Sequence, residues 1–452
     1  MAISISNITM WQAAFTALPI NLMMQNVITQ NSLQDTFINR EVYQNSEHIF
    51  SHQVEPRVKI TNQKSSGRCW LFAALNVMRL NMISDYDLKE YEFSQSYLFF
   101  WDKLERSNFV LESVIDAHNN NENINGQIIQ HLLNDPLSDG GQWDMVANLI
   151  NKYGLVPKSV YPESRHSSYS ASMNQILTYK IREYSKELID LLKQDKSIEE
   201  EKNRMLGEIY QLLSKFLGTP PTNFDWEYMD KKNDYHIIKD LTPKSFYKNN
   251  VNFNVDDYYS LINDPRNEYN KLYTVKYLGN IVEGYKVRYL NLPINRLKEL
   301  TKNSLIDNEA VWFGCDVGKN NLKNQCIMDL DILAYETPLN IKFGLNKKER
   351  LEFRQSLMTH AMVISGCNII EENNSVCTNV TNKVNKWEIE NSWGDRGPAK
   401  GYCMMTDKWF DEYVYEILIN KKYLLEDELN IINSKKYTIL PPWDPFGSLA
   451  NN

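Results

Sequence analysis

The segment 71–79 is apolar on nearly every side and contains neither Gly nor Pro. Such a run predicts a buried helix, and Cys69, two positions before it, falls in the first turn of that helix. The field of a helix N-terminus stabilises negative charge. We therefore expect the helix, together with a nearby imidazolium, to hold Cys69 as a thiolate.

Two further apolar patterns predict strands. The run 356–366 is short, ends in Gly and contains one polar ring, that of His360, which is typical of a buried strand. Along 386–394 the side chains alternate, so that Trp387 and Asn391 share one face with the isoleucine between them. The two glutamates of this segment face the other way, and Asn391 points inward at the end of the strand.

Apolar residues at helical spacing also predict a pair of amphipathic helices in the middle of the chain. The positions are Ile181, Tyr184, Leu188, Leu191 and Leu192 in the first helix, and Met205, Leu206, Ile209, Leu213, Phe216 and Leu217 in the second. A charged stretch, 193–202, joins them, so an antiparallel pair is the simplest arrangement. Periodicity alone favours a pair that packs on its own domain.

The end of the chain has a different pattern. Segment 439–450 is too rich in Pro for a helix and too apolar for a free tail. We therefore expect it to lie extended against a surface of the protein.

Composition restricts the class of protein. The chain has 452 residues with 42% hydrophobic content, enough for two to four domains and a sizeable core. The net charge of −8 argues against a nucleic-acid partner, and no apolar run is long enough to cross a membrane. The first cation is Arg40, so the start lacks the charged region of a secretory signal, and we expect an ordered N-terminal segment.

Cysteine usage, like the start of the chain, points to the cytoplasm. The six cysteines, at positions 69, 315, 326, 367, 377 and 403, form neither metal-ligand pairs nor a dense disulfide framework. We expect reduced thiols in a cytoplasmic enzyme that needs no metal or organic cofactor.

Four polar residues form a candidate catalytic set. Cys69 is the candidate nucleophile, and Gln63, six positions before it, has an amide N–H that can stabilise an oxyanion together with the Cys69 backbone N–H. His360 is the candidate base, and Asn391 can accept a hydrogen bond from its ring and fix the tautomer. Trp393 can shield the hydrogen bond between Asn391 and His360 from water. Taken singly, Cys69 and His360 are more simply explained as buried core residues.

In the order Cys, His, Asn, however, these signatures are not independent. The segments 63–70 and 391–394 resemble the papain group of cysteine proteases. Cys69 and His360 lie 291 positions apart, against roughly 130–150 in that group. A branch with such an insertion comprises the bleomycin hydrolases and aminopeptidases C, which the chain resembles at 92–103, 139–145, 269–275, 311–319 and 358–362.

The resemblance implies an α+β fold: a papain-like two-lobed core with a helical insertion, or hook, and a C-terminal arm in the active-site cleft. It divides the chain into an N-terminal segment packed on the core (1–60), a helical lobe with the nucleophile (61–165), the hook and oligomerisation region (166–300), a β lobe with the His and Asn (301–437) and the arm (438–452). The hook is expected to help assemble six subunits around a channel.

The resemblance also implies a function, that of a cysteine aminopeptidase acting on peptides and related amides. Asp139, Gly140 and Gly141 are then expected to contact the substrate, as is Trp393. The arm, with Ala450 and Asn451 near its end, is expected to block internal peptides and to offer its terminal carboxylate to the substrate's free ammonium group. In the usual pattern a single residue follows the alanine; here Asn451 and Asn452 follow, and self-trimming of one or both is a hypothesis.

Two alternatives stay open at this point. The first is a papain-type endopeptidase, which requires displacement of the arm. The second is a hexameric scaffold that binds nucleic acid without turnover, although such a scaffold would not require Gln63, Cys69, His360 and Asn391 together.

Overall fold

The computed structural model describes residues 1–373 and 380–450, which fold as helices packed around one large mixed sheet. The helices are α1 (Ile5–Thr16), α2 (Pro19–Ile28), α3 (Leu33–Thr36), α4 (Arg40–Gln44), α5 (Cys69–Asp85), α6 (Gln95–Asn119), α7 (Gln127–Asn134), α8 (Trp143–Tyr153), α9 (Arg165–Ser168), α10 (Ala171–Leu192), α11 (Glu199–Leu217), α12 (Pro243–Asn250), α13 (Ile294–Ile306), α14 (Glu336–Leu339), α15 (Lys347–Glu352), α16 (Asp407–Tyr413) and α17 (Glu426–Asn433). Short 3₁₀ helices span Val255–Asp257, Lys421–Tyr423 and Pro445–Ala450.

Most strands belong to one 12-stranded sheet. The strands are β1 (His52–Gln53), β2 (Phe224–Met229), β3 (Tyr235–Leu241), β4 (Tyr258–Ile262), β5 (Lys271–Val275), β6 (Tyr289–Asn291), β7 (Val311–Cys315), β8 (Asn321–Leu322), β9 (Ile327–Met328), β10 (His360–Asn373), β11 (Val380–Glu390), β12 (Tyr402–Thr406), β13 (Val414–Asn420) and β14 (Tyr437–Leu440). The sheet order is β14-β5-β6-β4-β13-β7-β10-β11-β12-β9-β8, with β1 added beside β10, while β2 and β3 form a separate hairpin.

The helix that begins at Cys69 lies in the centre of the core, as its apolar pattern predicts. Trp70, Leu71 and Phe72 are completely buried in α5, and the helix packs against β10 and β7 on one side and α6 and α8 on another. A helix covered on all sides has no polar face, which explains why the segment lacks amphipathic periodicity.

The strand predicted over 356–366 is present but displaced. β10 begins at His360 and continues well past Gly366, pairing with β7 and with β11. The residues just before it are held by side-chain contacts instead, because Ser356 donates its hydroxyl to the Asp316 carboxylate at 2.8 Å. His360 is therefore the first residue of a central strand.

The two amphipathic helices of the insertion are confirmed as α10 and α11. Both pack against α6 and bury the apolar positions that face it. The rest of 166–300 is not helical, however. β4, β5 and β6 lie there and belong to the main sheet, and residue 300 falls inside α13. The predicted boundaries at 166 and 300 are therefore wrong for the second half of this region, because its strands pair with β13 and β14, far along the chain.

The N-terminal segment is ordered, but its first helices do not pack on the core as expected. No residue of α1 or α2 is buried, and the first buried residue of the chain is Phe37. Only the later part of 1–60, with β1 and Val54, joins the core. Within the described residues, no helix combines the length and apolar character needed to span a membrane.

The C-terminal arm is extended only in part. β14 pairs in parallel with β5, as expected for an extended segment, but Pro445–Ala450 forms a 3₁₀ helix that is mostly buried. The expectation that its prolines exclude helix is wrong for these last residues, since Pro445 is the first residue of that turn, where no N–H is needed.

Candidate active site

Cys69 is the first residue of α5 and lies at the contact between the helical layer and the sheet. It is 4% exposed, and no side chain caps the helix in front of it. The backbone N–H groups of Trp70 and Ala361 interact with its sulfur. Because Ala361 follows His360 directly, the thiol and the imidazole are brought to the same place by two elements that are remote in sequence.

The ring of His360 is held by Asn391 and covered by Trp393. His360 Nε2 lies 3.0 Å from the Asn391 amide oxygen, which also accepts the backbone N–H of Ser392 at 2.7 Å. The Trp393 ring centroid is 4.9 Å from that of His360. An acceptor at Nε2 requires hydrogen there, so Nδ1 is left as the basic nitrogen of a neutral imidazole.

Burial affects the protonation of both candidate groups. It raises the pKa of the Cys69 thiol to about 11, an effect that the backbone N–H groups of Ala361 and Trp70 oppose. It lowers the pKa of His360 to about 4, although the bond to Asn391 acts in the other direction. Both pKa shifts favour a neutral thiol and a neutral imidazole, because removal from water penalises each charged form. They therefore disfavour the resting thiolate that we expected from the helix N-terminus.

Gln63 lies beside this pair, and both ends of its amide are oriented. Its nitrogen donates to the Ser66 carbonyl at 2.7 Å, and its oxygen accepts the Ser392 hydroxyl at 2.5 Å. The Gln63 backbone N–H also bonds to the Ser392 carbonyl at 2.8 Å. An amide nitrogen has two hydrogens, so one N–H stays available for an oxyanion.

Comparisons with known proteins agree with this geometry. Residues 2–447 match the model of the Peptidase C1-like family. The chain is 44% identical to the bleomycin hydrolase of Mus musculus over 96% of this chain and 95% of that protein. It is 41% identical to an aminopeptidase C of Listeria innocua, again over 96% and 95%. The crystal structure of PepW from Lactobacillus rhamnosis HN001 superposes with a TM-score of 0.94 at 40% identity, covering 99% of each chain.

The chain belongs to the Peptidase C1-like family. The resemblance drawn from the motifs is therefore confirmed, and so is the papain-like α+β fold class. The chain matches these relatives over nearly its whole length and theirs.

In this peptidase the Asp139 side chain is held by internal partners. Its carboxylate is paired with the Lys103 ammonium at 2.8 Å and accepts the Gly67 backbone N–H at 3.0 Å and the Asn174 amide at 2.6 Å. Burial acts to raise its pKa, but Lys103 and these hydrogen bonds hold the pKa below its ordinary value. A buried carboxylate needs such partners, and through the Gly67 N–H the Asp139 side chain positions the loop before Cys69; a contact between Asp139 and the substrate stays a prediction.

The two glycines after Asp139 are required by close contacts. A side chain on Gly141 would meet the Trp70 indole at 2.6 Å, and one on Gly140 would meet the Leu449 carbonyl oxygen at 1.9 Å. Glycine alone permits such approaches. Gly140 thus forms a wall against which the C-terminal arm packs, in the place where a substrate contact was predicted.

The arm is attached at several points along its length. Its contacts are Asp444 with Arg266 at 3.0 Å, the Phe446 carbonyl with Tyr289 at 2.9 Å and Gln142 at 3.2 Å, the Ser448 hydroxyl with the Met358 carbonyl at 2.8 Å, and the Ala450 carbonyl with Arg106 at 3.2 Å. Met358 is two positions before His360, so the arm runs beside the catalytic strand. Asn451, the other predicted arm residue, lies outside the described residues.

Two polar residues of the site were missed in the sequence. Ser392 orients Gln63, and Arg106 donates to both the Gly140 carbonyl, at 2.6 Å, and the Ala450 carbonyl. Arg106 is 4% exposed and pairs with Asp102 one helical turn earlier. A charged pair at this spacing on an apolar helix is a signal that marks a buried arginine, but it does not reveal what the guanidinium binds.

Proposed function

We propose that this cysteine peptidase is an aminopeptidase that removes N-terminal residues from peptides and hydrolyses related amides. The observation that carries the proposal is the contact between the arm and the cleft wall, where the Leu449 carbonyl lies against Gly140. A cleft filled on that side has no room for residues that precede the scissile bond by several positions. Relatives named bleomycin hydrolase and aminopeptidase C support the same activity.

In the proposed mechanism, the Cys69 sulfur attacks the carbonyl carbon while its proton passes to Nδ1 of His360. The oxyanion accepts hydrogen bonds from the free N–H of Gln63 and from the Cys69 backbone N–H. His360 then protonates the leaving amine as the C–N bond breaks, giving a thioester. Water, deprotonated by His360, attacks the thioester and releases the acid and the thiol, and Asn391 keeps the ring oriented throughout.

Burial of Cys69 and His360 determines when the proton moves from the thiol to the imidazole. Because the neutral thiol and imidazole are favoured in the covered site, the nucleophilic thiolate forms together with the imidazolium, as an ion pair. The substrate carbonyl approaching Gln63 then stabilises the negative charge as it develops. No metal or organic cofactor takes part in this scheme.

Arg106 is the residue that we propose to hold the end of the arm. One guanidinium reaches the Gly140 carbonyl on the cleft wall and the Ala450 carbonyl on the arm. Arg266, which binds Asp444, holds the start of the same segment. Between these two points the path of the arm is fixed, which supports the proposal that the arm closes this side of the cleft.

We also propose that the chain assembles with copies of itself in the cytoplasm, without nucleic acid. Large apolar residues of α1 and α2 are exposed, with Trp11 at 49% and Met23 at 54%. Apolar helices without a packed face are marginal in water. The number of six subunits rests on the resemblance. Light scattering on the whole chain and on a variant lacking 1–31 tests it. The whole chain should have six times the mass of one chain, and the variant should not.

The aminopeptidase proposal is tested with one peptide series carrying free or acetylated N-termini. Wild type, Cys69→Ala and a variant truncated after Gly447 are compared. Wild type should cleave only the free peptides, the truncated protein should cleave acetylated peptides internally, and Cys69→Ala should be inactive. Equal cleavage of both forms by wild type would identify an endopeptidase instead.

A further inference from the structure

The nucleophile loop, residues 65–68, leads into α5 and contains no helix or strand of its own. The Cys69 backbone N–H follows it directly, so the position of the loop determines where that oxyanion donor lies. The loop is held from the segment 163–174, which contains α9 and the first residues of α10, the first helix of the hook. In the first of three links, the Ser65 backbone N–H donates to the Ser168 carbonyl at 3.0 Å.

The second link joins Arg68 to Glu163. Arg68 is completely buried, and its guanidinium donates to both carboxylate oxygens of Glu163, at 3.1 and 2.8 Å. Its Nε donates to the Ser66 hydroxyl at 2.9 Å. Ser167 holds the carboxylate in turn, because its hydroxyl donates to it at 2.5 Å. Since a buried charge needs a partner of opposite charge, Glu163 fixes the residue that directly precedes Cys69.

The third link runs through Asp139, whose carboxylate accepts the Gly67 backbone N–H. Two side chains at the start of α10, those of Ser170 and Asn174, donate to the same carboxylate, the latter at 2.6 Å. The Lys103 ammonium neutralises Asp139, but an ammonium is a compact charge with rotatable donors and fixes no direction. The two donors from α10 therefore orient the carboxylate that holds the nucleophile loop.

All three links end within four residues of Cys69, and all three come from one segment about a hundred positions further along the chain. In a catalytic site, a displacement of about 1 Å can lower the rate roughly a hundredfold. Hydrogen bonds from a second part of the chain limit such displacements, because an irregular loop has no ladder of backbone bonds to hold it.

We propose that Glu163 and Asn174 are positioning residues of the peptidase, which hold the nucleophile loop in the geometry that the oxyanion requires. Glu163 acts through Arg68, and Asn174 acts through Asp139. The start of the hook then supports the active site in addition to packing on α6. This inference rests on the proposed mechanism, in which the Cys69 backbone N–H stabilises the oxyanion.

The test measures kcat and KM of Glu163→Gln and Asn174→Leu on a peptide with a free N-terminus. Each change removes one link at nearly constant side-chain volume. In each variant kcat should fall at least fivefold while KM stays within twofold of wild type, because the oxyanion forms only in the transition state. Glu428→Gln is the matched control, since it breaks another two-bond pair, with Arg296 at 2.9 and 3.0 Å, away from the cleft. Its kcat should stay within twofold of wild type.

Wild-type kcat in both variants, an effect on KM alone, or an equal loss of kcat in the control would overturn the inference. Thermal unfolding shows which variants are folded at the assay temperature. If Glu163→Gln fails to fold, Asn174→Leu decides, because Asn174 is uncharged and Asp139 keeps its ion pair with Lys103.

Cys69→Ala separates this inference from the proposed mechanism. Hydrolysis that persists without the thiol would refute the mechanism itself. An inactive Cys69→Ala beside fully active Glu163→Gln and Asn174→Leu would refute the positioning role alone.

Discussion

The Ser392 hydroxyl donates a hydrogen bond of 2.5 Å to the amide oxygen of Gln63, across a separation of 329 positions. The same serine follows Asn391, which holds the His360 ring. One short segment therefore orients both the base and the candidate oxyanion donor. The strand end that carries Asn391 and the loop that carries Gln63 behave as a single unit, which Gly394 extends by bonding to Thr61 at 2.9 Å.

Ser392→Ala should lower kcat/KM about tenfold with little change in KM, because a neutral hydrogen bond contributes roughly 0.5–1.5 kcal/mol and this one orients a group used in the transition state. Steady-state kinetics on a free peptide give the value. In a Gln63→Ala background the same change should have almost no further effect. Independent, additive losses would show that Ser392 does not act through Gln63.

Arg106→Met should release the end of the arm, because its guanidinium donates to both Gly140 and Ala450. We expect the ratio of rates on free and acetylated peptides to fall at least tenfold, since hydrogen bonds to a charged group contribute about 1.5–3 kcal/mol each. Arg296→Met, which breaks a partly buried pair with Glu428 away from the cleft, is the matched control. A loss of stability alone would lower both rates and leave the ratio unchanged.

Gly140→Ala should also displace the arm, because the new methyl group would lie 1.9 Å from the Leu449 carbonyl oxygen, a distance that the backbone cannot accept. Aminopeptidase activity should fall about tenfold or more, and cleavage of acetylated peptides should appear. Gly207→Ala is the matched control, since a methyl group there meets no atom within 4 Å. If Gly140→Ala keeps the wild-type ratio of activities, the arm does not use this wall.

Glu416 should make stability depend on pH. It is fully buried in β13, and burial raises its pKa to about 8, against the smaller effect of Ser260. Between the ordinary carboxyl pKa of about 4.3 and pH 8 the unfolded chain is ionised while the folded protein keeps the proton, so stability falls as the pH rises through this window.

Glu416→Gln removes that titration. The variant should be more stable than wild type by a few kcal/mol at pH 8.5, because each pKa unit corresponds to about 1.4 kcal/mol, and the difference should shrink towards pH 5. Urea unfolding at both pH values measures it. A difference that is constant with pH would mean that Glu416 is ionised in the folded protein.

The local sequence was sufficient for the elements that contain the catalytic set. An apolar run without Gly or Pro predicted α5, and the helix is buried along most of its length. Alternation located Asn391 at the inward-facing end of a strand. The face of β11 opposite Trp387 was less predictable, since Glu388 and Glu390 are also buried, paired with Arg57 and Arg79.

By itself, the sequence determined the identity of the chemical groups, the family and the elements that carry Cys69 and His360, because these depend on residue type and short-range periodicity. Only the tertiary structure decided that Ser392 serves Gln63, that Asp139 is an internal anchor and that Arg106 holds the arm. Each of these depends on which donor meets which acceptor across hundreds of positions, and local propensity carries no information about such long-range pairs. The assignment of β4, β5 and β6 to the main sheet follows the same rule, since a strand is placed by the partner that satisfies its hydrogen bonds.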